Sequence, residues 1–239
     1  MRAASCKRWL VYFIYASDGT LTASHRFTLE RLSREDVPLL VICACPEAHP
    51  VLDELKTRCS ALYWKAIDGW DFSAYAVALS ELARVSPGAD VLVMNDSVLG
   101  PFKPLAPFME EAPWRLTGFT GNAREQNHVQ SYAFVIKSID AHLMEALNPV
   151  LSTDWAYNAA EPVILLQETR MACVAHRHMS VGSYFFTNGS RYDDLCLQCP
   201  EQLLGAGFPF LKRSLFGKFS GVFQNPEAMQ GLLRQVGHP

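Results

Sequence analysis

Three glycine-rich signatures of common enzyme classes are absent from this sequence of 239 residues. No Gly-x-Gly-x-x-Gly follows the first predicted strand and no Walker phosphate loop occurs, which disfavours dinucleotide oxidoreductases and P-loop enzymes. No Gly-x-Ser-x-Gly elbow occurs either, which disfavours a hydrolase of the α/β class. A ligand of this chain must therefore be held by a different arrangement of residues.

Long apolar runs and a strong imbalance of charge are also missing. No run reaches the roughly 20 apolar residues that span a bilayer, and the first ten residues are too short and too mixed for a secretory signal. A net charge of −3 offers no general attraction to nucleic acid or to an anionic membrane. We therefore expect a cytoplasmic protein without a nucleic-acid partner, for which any contact with the inner face of the membrane is local and peripheral.

The seven cysteines are an odd number and lack the density of a secreted disulfide scaffold, so we expect reduced thiols. Cys196 and Cys199 have the spacing of a zinc knuckle, but no second pair with this spacing accompanies them. Cys43 and Cys45 lie on a predicted strand, where alternate side chains point to opposite faces. A structural zinc site is therefore disfavoured.

The first half of the sequence alternates short β-rich apolar runs with helical patterns, which is typical of βαβ units. The predicted strands are Trp9–Ala16, Leu39–Ala44, Ala61–Ala66 and Val91–Met94. The predicted helices are Ser24–Arg34, Pro50–Cys59 and Phe72–Val85. With 49% apolar and 19% charged residues, the chain suits a single α/β domain whose mostly parallel central sheet is flanked by helices.

After Gly100 this alternation weakens and prolines interrupt the pattern. The segments that keep a pattern are predicted as strands Leu116–Thr120, Val129–Lys137 and Met171–His176 and helices Ile139–Leu147 and Ala159–Glu168. We therefore expect a nucleotide-binding half at about residues 8–103, an acceptor-side half at about residues 104–220, and a short amphipathic tail.

The segment Tyr15–Leu21 (YASDGTL) is similar to the Asp-x-Asp-Gly-Thr loop of haloacid dehalogenase-type phosphatases. In that chemistry the first Asp attacks phosphorus, so it must be a carboxylate. Ala16 occupies the position here, which argues against phosphoryl transfer by this route. Two roles remain open for Asp18, which either lines a pocket after the first strand or caps the following turn.

Polar residues follow two of the predicted strands. Asp71 follows the third strand, and Asn95, Asp96 and Ser97 follow the fourth. Open α/β sheets bind ligands at the carboxyl ends of their strands. A leaving diphosphate develops negative charge, which a divalent metal held by Asp96 would neutralise. Local roles fit as well, since Asp71 suits a helix N-cap and Ser97 suits a turn.

Four blocks of sequence occur in order between about Leu10 and Phe216. They are DGWDFSAYAVAL, VLVMNDSVLGPFKPL, HVQSYAFVIKS and GFPFLKRSLF. Together they resemble the rhamnan synthesis protein F family, glycosyltransferase-like proteins of bacterial surface polysaccharide assembly. The chain departs from that family at Ser73, where the family usually has Gly, and at Ala133, where an aromatic residue is expected.

The resemblance implies a GT-A-like fold and transfer of a sugar, typically rhamnose, from a nucleotide-diphosphate donor to a growing polysaccharide or lipid-linked glycan. Asp71 and Asp96 would then face the donor. Asn95, Asp96 and Ser97 would stand where many GT-A enzymes carry Asp-x-Asp. With one carboxylate in that motif, either magnesium or manganese is shared with phosphate oxygens and water, or side chains supply the positive charge.

Lys212 and Arg213, in the last block, are the candidates for that charge. Arg pairs with phosphate in a bidentate fork and Lys adds a point charge, so a loop carrying both suits a diphosphate. A solvated basic patch, or one that meets anionic lipid, is the alternative.

The resemblance also directs attention to a base for the acceptor hydroxyl, for which His128 and Glu161 are the candidates. His128 fits an orienting hydrogen bond equally well. Gln130 and Ser131 are expected to contact the acceptor or to support the residues that do. The alternative function is a sugar-nucleotide-binding or glycan-binding subunit of a polysaccharide synthase that has no catalytic activity.

Overall fold

The computed structural model of the chain describes residues 6–46, 50–124, 126–189, 194–220 and 226–239. Within these ranges the strands are β1 (Arg8–Tyr15), β2 (Leu39–Ala44), β3 (Ala61–Lys65), β4 (Ala89–Asn95), β5 (Val98–Leu99), β6 (Leu116–Asn122), β7 (His128–Val129), β8 (Ala133–Ile139), β9 (Val181–Thr187) and β10 (Leu211–Lys212). The helices are α1 (Ala23–Leu32), α2 (Val51–Lys56), α3 (Trp70–Val85), α4 (Ala106–Glu110), α5 (Ala141–Leu147), α6 (Ala160–Pro162), α7 (Thr169–His176), α8 (Leu195–Gln198), α9 (Pro200–Gly205) and α10 (Pro226–Gln235). Val163–Glu168 form a π-helical segment before α7, and Arg213–Phe216 form a 3-10 turn after β10. None of the helices in these ranges is both long and apolar enough to cross a membrane.

The first four strands form the parallel half of one mixed sheet. β2 pairs with β3 and β1, and β1 pairs with β4, all in parallel. β8 pairs antiparallel with β4 and β6, and β6 also pairs antiparallel with β7 and parallel with β9. The spatial order is β3-β2-β1-β4-β8-β6-β7, so the strand order reverses between β1 and β4. The expected α/β domain with a mostly parallel central sheet flanked by helices is confirmed.

The core lies on both faces of this sheet, because alternate residues of a strand point to opposite sides. In β1, Trp9, Val11 and Phe13 belong to the core on the side of α3 and α5. The residues between them belong to the core on the side of α1 and α2. Because side chains on both faces of β1 are buried, the position of its carboxyl end at Tyr15 is fixed by the core.

The predicted strand Met171–His176 is wrong, since these residues form most of helix α7. Its buried apolar residues follow the i, i+1, i+3, i+4 spacing of a helix with one buried face, and they are Met171, Ala172, Val174 and Ala175. A short apolar run does not distinguish a buried strand from a buried helix. The strand in this part of the chain is β9, which pairs in parallel with β6. The sequence analysis did not predict it.

The predicted strand Val129–Lys137 is divided into β7 and β8. Gln130, Ser131 and Tyr132 lie in the break between them. The N–H of Asn95 donates to the carbonyl of Tyr132 at 3.0 Å, which ties the break to the end of β4. This break brings Ser131 and Tyr132 to the carboxyl ends of the central strands.

The predicted helix Ala159–Glu168 is present, but α6 supplies only its first turn and the remainder is π-helical. A π-helix has hydrogen bonds between residues i and i+5, so each residue rotates the chain by a smaller angle than in the α-helix that the periodicity predicted. Val163 and Gln167 are buried as a result. The three residues between Val163 and Gln167 are exposed although all three are apolar.

Candidate functional site

A cavity of about 520 Å³ lies at the carboxyl ends of β1 and β4. The strand order reverses at this point, which is where open α/β sheets bind their ligands. The volume falls in the usual range of ligand pockets, about 300–1,000 Å³. Its wall consists of the ends of β1 and β4, the loop of residues 67–71, the break at residues 131–132, and Asn158, Glu168 and Lys212.

Asp96, directly after β4, joins three parts of the chain through one carboxylate oxygen. Its Oδ2 accepts a hydrogen bond from the backbone N–H of Tyr15 at 3.1 Å and one from His25 Nε2 at 2.9 Å. Arg213 Nη1 lies 3.6 Å from the same oxygen. No described residue hydrogen-bonds to Oδ1. Asp96 itself belongs to the cavity wall.

His25 is a site residue that the sequence analysis did not identify. It is the third residue of α1, and its Nδ1 accepts the N–H of Thr22 at 3.2 Å while its own N–H donates to Thr22 Oγ1. Since Nδ1 accepts a hydrogen bond, the ring proton lies on Nε2 and is donated to Asp96. The one available signal was the capping-box spacing of Thr22 and His25. His25 is fully buried, so it supports Asp96 without reaching the cavity.

Asn95 bridges the two polar loops. Its Nδ2 donates to Asp71 Oδ2 at 2.8 Å. Its Oδ1 accepts the backbone N–H and the hydroxyl of Ser97, at 3.0 and 2.6 Å. Ser97 thus takes the turn role that its residue type suggests, while it also lines the cavity. The side chain of Asn95 therefore connects the end of β4 to the start of α3.

Asp71, in the first turn of α3, has a carboxyl group with a raised pKa. Its Oδ1 accepts the N–H of Phe72 at 3.0 Å, and its Oδ2 accepts Asn95 and the hydroxyl of Tyr75, the latter at 3.4 Å. Burial, followed by the negative charge of Glu168, raises the pKa of Asp71 to about 6, although the hydrogen bond from Asn95 opposes this. Asp71 therefore holds its proton to a higher pH than an ordinary aspartic acid.

Glu168 closes the cavity on the side of the π-helical segment and was also missed from the sequence. Its Oε2 accepts the N–H of Ser131 at 3.3 Å and the Ser131 hydroxyl as well. No described residue hydrogen-bonds to Oε1. π-helical turns occur often at functional sites. Ser131 thus positions a cavity carboxylate that has one oxygen free.

Lys212 and Arg213 reach the site because β10 pairs antiparallel with β5. Gly100 follows β5 with φ of +124°, and a Cβ at this position would lie 2.6 Å from the carbonyl oxygen of Pro209, so only glycine fits. Lys212 Nζ lies 4.5 Å from the centre of the Tyr132 ring and lines the cavity. Lys212 thus lies in the cavity wall, and the next residue, Arg213, lies beside Asp96.

Aromatic side chains form the outer wall of the cavity. Tyr15 and Trp70 are 45% and 47% exposed, which is unusual for such large apolar groups. Trp70 has φ of +41°, a left-handed conformation that is rare for a bulky residue and that clusters at functional sites. Gly69 precedes it with φ of +85°, where a Cβ would contact Ser73 Oγ at 2.8 Å. The backbone thus holds Trp70 outward at the rim.

Asp18 and Glu161 lie outside the cavity wall. Asp18 is exposed, and its two oxygens accept the N–H and the hydroxyl of Thr20 at 3.0 and 2.9 Å, as in a turn cap. Glu161 is exposed on α6, seven residues before Glu168 on the same helical stretch. The carboxylate that this stretch brings to the cavity is therefore Glu168.

His128 and Gln130 are also absent from the described wall of the cavity. His128 Nδ1 donates to the carbonyl of Gln126 at 3.0 Å, which is the orienting role that the sequence left open. Gln130 is buried, accepts the Thr120 hydroxyl at 2.5 Å and donates to Asp194 Oδ2 at 2.8 Å. Gln130 therefore fixes the start of α8 rather than facing a ligand.

The expected magnesium or manganese site at Asp96 meets an unfavourable set of donors. Asp96 Oδ2 already accepts two hydrogen bonds and pairs with Arg213. Within the described ranges, no three His, Cys, Asp or Glu side chains converge in the way that a metal site requires. These residues do not fit a metal held by the protein. Among the described residues, Lys212 lines the cavity, Arg213 pairs with Asp96 of its wall, and Lys65 donates to the carbonyl of Asp68 on the opposite loop.

No family model matches the chain, and no curated protein matches it. Among solved structures it is similar to HddC from Yersinia pseudotuberculosis, with 10% identity and a TM-score of 0.45 over 74% of this chain and 90% of that one. A proposed nucleotide-diphospho-sugar transferase from Desulfovibrio desulfuricans G20 has 11% identity and a TM-score of 0.43 over 97% and 96%. The inositol-1-phosphate CTP transferase from T. maritima has 11% identity and a TM-score of 0.46 over 77% and 87%. At this similarity the activities of these proteins do not transfer to this chain.

Replacing Asp96 by alanine is expected to destabilise the fold as well as the site. The change leaves the buried Nε2–H of His25 without its acceptor, and an unsatisfied buried donor costs about 1–3 kcal/mol. Thermal unfolding should show a Tm lowered by about 2–4 °C per kcal/mol. Asp68→Ala, at an exposed carboxylate of the same cavity, is the control and should leave the Tm nearly unchanged. An unchanged Tm for Asp96→Ala would contradict the structural role of Asp96.

The raised pKa of Asp71 predicts a pH dependence of stability. The pKa of Asp is about 3.9 in the unfolded chain, so proton binding by Asp71 stabilises the fold below about pH 4. This contribution is lost as the pH rises through about 6. Glu168→Gln removes a like charge and lowers the pKa of Asp71. The wild type should lose unfolding free energy between about pH 4 and about pH 8, and Glu168→Gln should lose less. The difference should be on the order of 1 kcal/mol or less, because burial and not Glu168 is the larger cause of the raised pKa.

Urea unfolding at the two pH values measures this difference. Glu161→Gln removes an exposed carboxylate from the same helical stretch, and its pH dependence should equal that of the wild type. Glu168→Gln with the same pH dependence as the wild type would show that the two carboxylates do not interact.

Proposed function

We propose that the protein is a glycosyltransferase that moves a sugar from a nucleotide-diphosphate donor to a growing polysaccharide or lipid-linked glycan. The observation that carries this proposal is the meeting of the loops after β1, β3 and β4 around one cavity, at the point where the strand order reverses. The four sequence blocks favour a GT-A-like enzyme of the rhamnan synthesis type, with rhamnose as the donor sugar.

The donor diphosphate is assigned to the side of the cavity that Lys212 lines, where Arg213 lies beside Asp96. The antiparallel pairing of β10 with β5 places Lys212 and the next residue, Arg213, at this side. Arg213 Nη1 lies 3.6 Å from Asp96 Oδ2. A diphosphate that enters here meets two cations, and charge-assisted hydrogen bonds to phosphate are the strong ones. The exposed rings of Tyr15 and Trp70 offer flat surfaces for the nucleobase or the sugar.

Glu168 is the residue to which we assign the proton of the acceptor hydroxyl, in place of His128 and Glu161. Its Oε1 is free among the described residues, whereas both oxygens of Asp71 are hydrogen-bonded. The acceptor oxygen bonds to the anomeric carbon while its proton passes to Glu168 Oε1. The bond from that carbon to the diphosphate oxygen breaks, and its electron pair stays on the diphosphate beside Lys212 and Arg213.

Lys212→Met is expected to weaken binding of a nucleoside diphosphate by about tenfold or more, because it removes a charged partner of the phosphates and keeps the length of the side chain. Isothermal titration calorimetry with a panel of nucleoside diphosphates in the presence of a chelator measures this effect. Lys218→Met, at an exposed lysine of the same region, is the control and should bind as the wild type does. Binding that appears only with magnesium or manganese would assign the positive charge to a metal instead.

Glu168→Gln is expected to lower the rate of sugar release from the preferred donor by about 10²–10⁴, since it removes the proton acceptor, while donor affinity changes little. Release of nucleoside diphosphate from the nucleotide sugar, with water in place of the acceptor, measures the rate. Glu161→Gln should keep the wild-type rate. Donor binding without any turnover by the wild type would instead support the non-catalytic sugar-nucleotide-binding subunit.

A further inference from the structure

Three consecutive large apolar residues are exposed on the π-helical segment beside the cavity. Ile164, Leu165 and Leu166 are 50%, 49% and 40% exposed. The residues on either side are anchored, since Val163 lies in the core and Gln167 Nε2 donates to the carbonyl of Val150 at 2.9 Å. The apolar side chains are therefore held outward by a fixed backbone. We call these three residues the apolar ridge.

The ridge has a shape that suits a deformable partner. Successive residues point about 100° apart around an α-helix and a π-helix turns more slowly, so three in a row form a fan rather than one flat stripe. A folded protein partner usually contacts a helix along positions i, i+3, i+4 and i+7. Lipid acyl chains and headgroups can surround side chains that point in several directions. A rigid, flat protein surface cannot contact all of them at once.

Charges next to the apolar ridge select one kind of lipid surface. Arg170 and Arg177 are exposed, and because they are seven residues apart they share a face of α7 and its end. Neither has an ion-pair partner among the described residues. Glu161, the exposed acid of this stretch, lies on the opposite side of the ridge along the chain. Apolar side chains with unpaired arginines nearby on the same helical stretch are typical of helices that lie in an anionic membrane interface.

We propose that the apolar ridge, together with Arg170 and Arg177, docks the protein on an anionic lipid surface. Glu168 belongs to the same π-helical segment and lines the cavity, so docking brings the edge of the cavity to the membrane. A lipid-linked acceptor would then meet the cavity from the side of Glu168. Docking is measured without turnover, so its failure and the failure of the proposed transfer reaction are distinguishable.

Cosedimentation of the whole protein with vesicles tests the proposal. The vesicles are phosphatidylcholine alone, or phosphatidylcholine with one quarter phosphatidylglycerol. We expect binding to the anionic vesicles that weakens with added salt, and little binding to the neutral ones. The double variant Ile164→Ser, Leu165→Ser should bind roughly tenfold more weakly or worse. Arg170→Gln and Arg177→Gln should each weaken binding by about fivefold.

Matched surface variants elsewhere on the protein are the controls. Val77→Ser removes an aliphatic side chain that is 40% exposed on α3, and Arg234→Gln removes an exposed arginine of α10. Both should bind vesicles as the wild type does. Equal binding by the wild type and the ridge variants would overturn the proposal. A dimer in sedimentation velocity that the ridge variants abolish would also overturn it, because the occupant would then be a second copy of the chain.

Discussion

The attachment of Asp96 to three separate elements is the constraint on which the candidate site depends. One carboxylate oxygen holds the end of β1 through Tyr15, α1 through His25, and the β5–β10 pair through Arg213. These elements are distant in sequence, and their common contact fixes the geometry of the cavity mouth. Asp96 itself is buried, and its Oδ2 accepts two hydrogen bonds and lies 3.6 Å from Arg213 Nη1. The sequence analysis assigned the carboxylate of Asp96 to a ligand, and the structure shows that it also bonds to three parts of the fold.

The balance of charge around the cavity follows from this arrangement. Asp71 and Glu168 face the same space, and burial, followed by the negative charge of Glu168, raises the pKa of Asp71. Lys212 and Arg213 supply positive charge on the side of Asp96. The cavity thus has an acidic wall at α3 and the π-helical segment and a basic wall at β10. In the proposed glycosyl transfer, the acidic wall would accept the proton of the acceptor and the basic wall would hold the diphosphate.

The parts of the site that the sequence predicted are those fixed by the ends of parallel strands. Asn95 ends β4, Asp96 and Ser97 follow it, and Asp71 lies in the first turn of α3, the helix after β3. The rule that the carboxyl ends of parallel strands meet at one edge of the sheet brings them together. Glu168 escaped prediction because the π-helical segment rotates the side chains relative to the α-helical period. His25 escaped because its role is a contact across the fold, and a histidine near a helix start has no distinctive pattern. The strand predicted at Met171–His176 failed for a related reason, since a short apolar run fits either a strand or a helix.

The sequence by itself determined the alternation of strands and helices in the first half, the parallel sheet and the polar loops at its edge. Local periodicity and turn residues specify these features, and they act over a few residues. The tertiary structure alone decided that Asp96 is a structural hub, that Glu168 rather than Glu161 faces the cavity, and that Ile164, Leu165 and Leu166 face outward. Each of these depends on contacts between segments far apart in the chain, and the energy of such contacts is set by packing that no local pattern encodes.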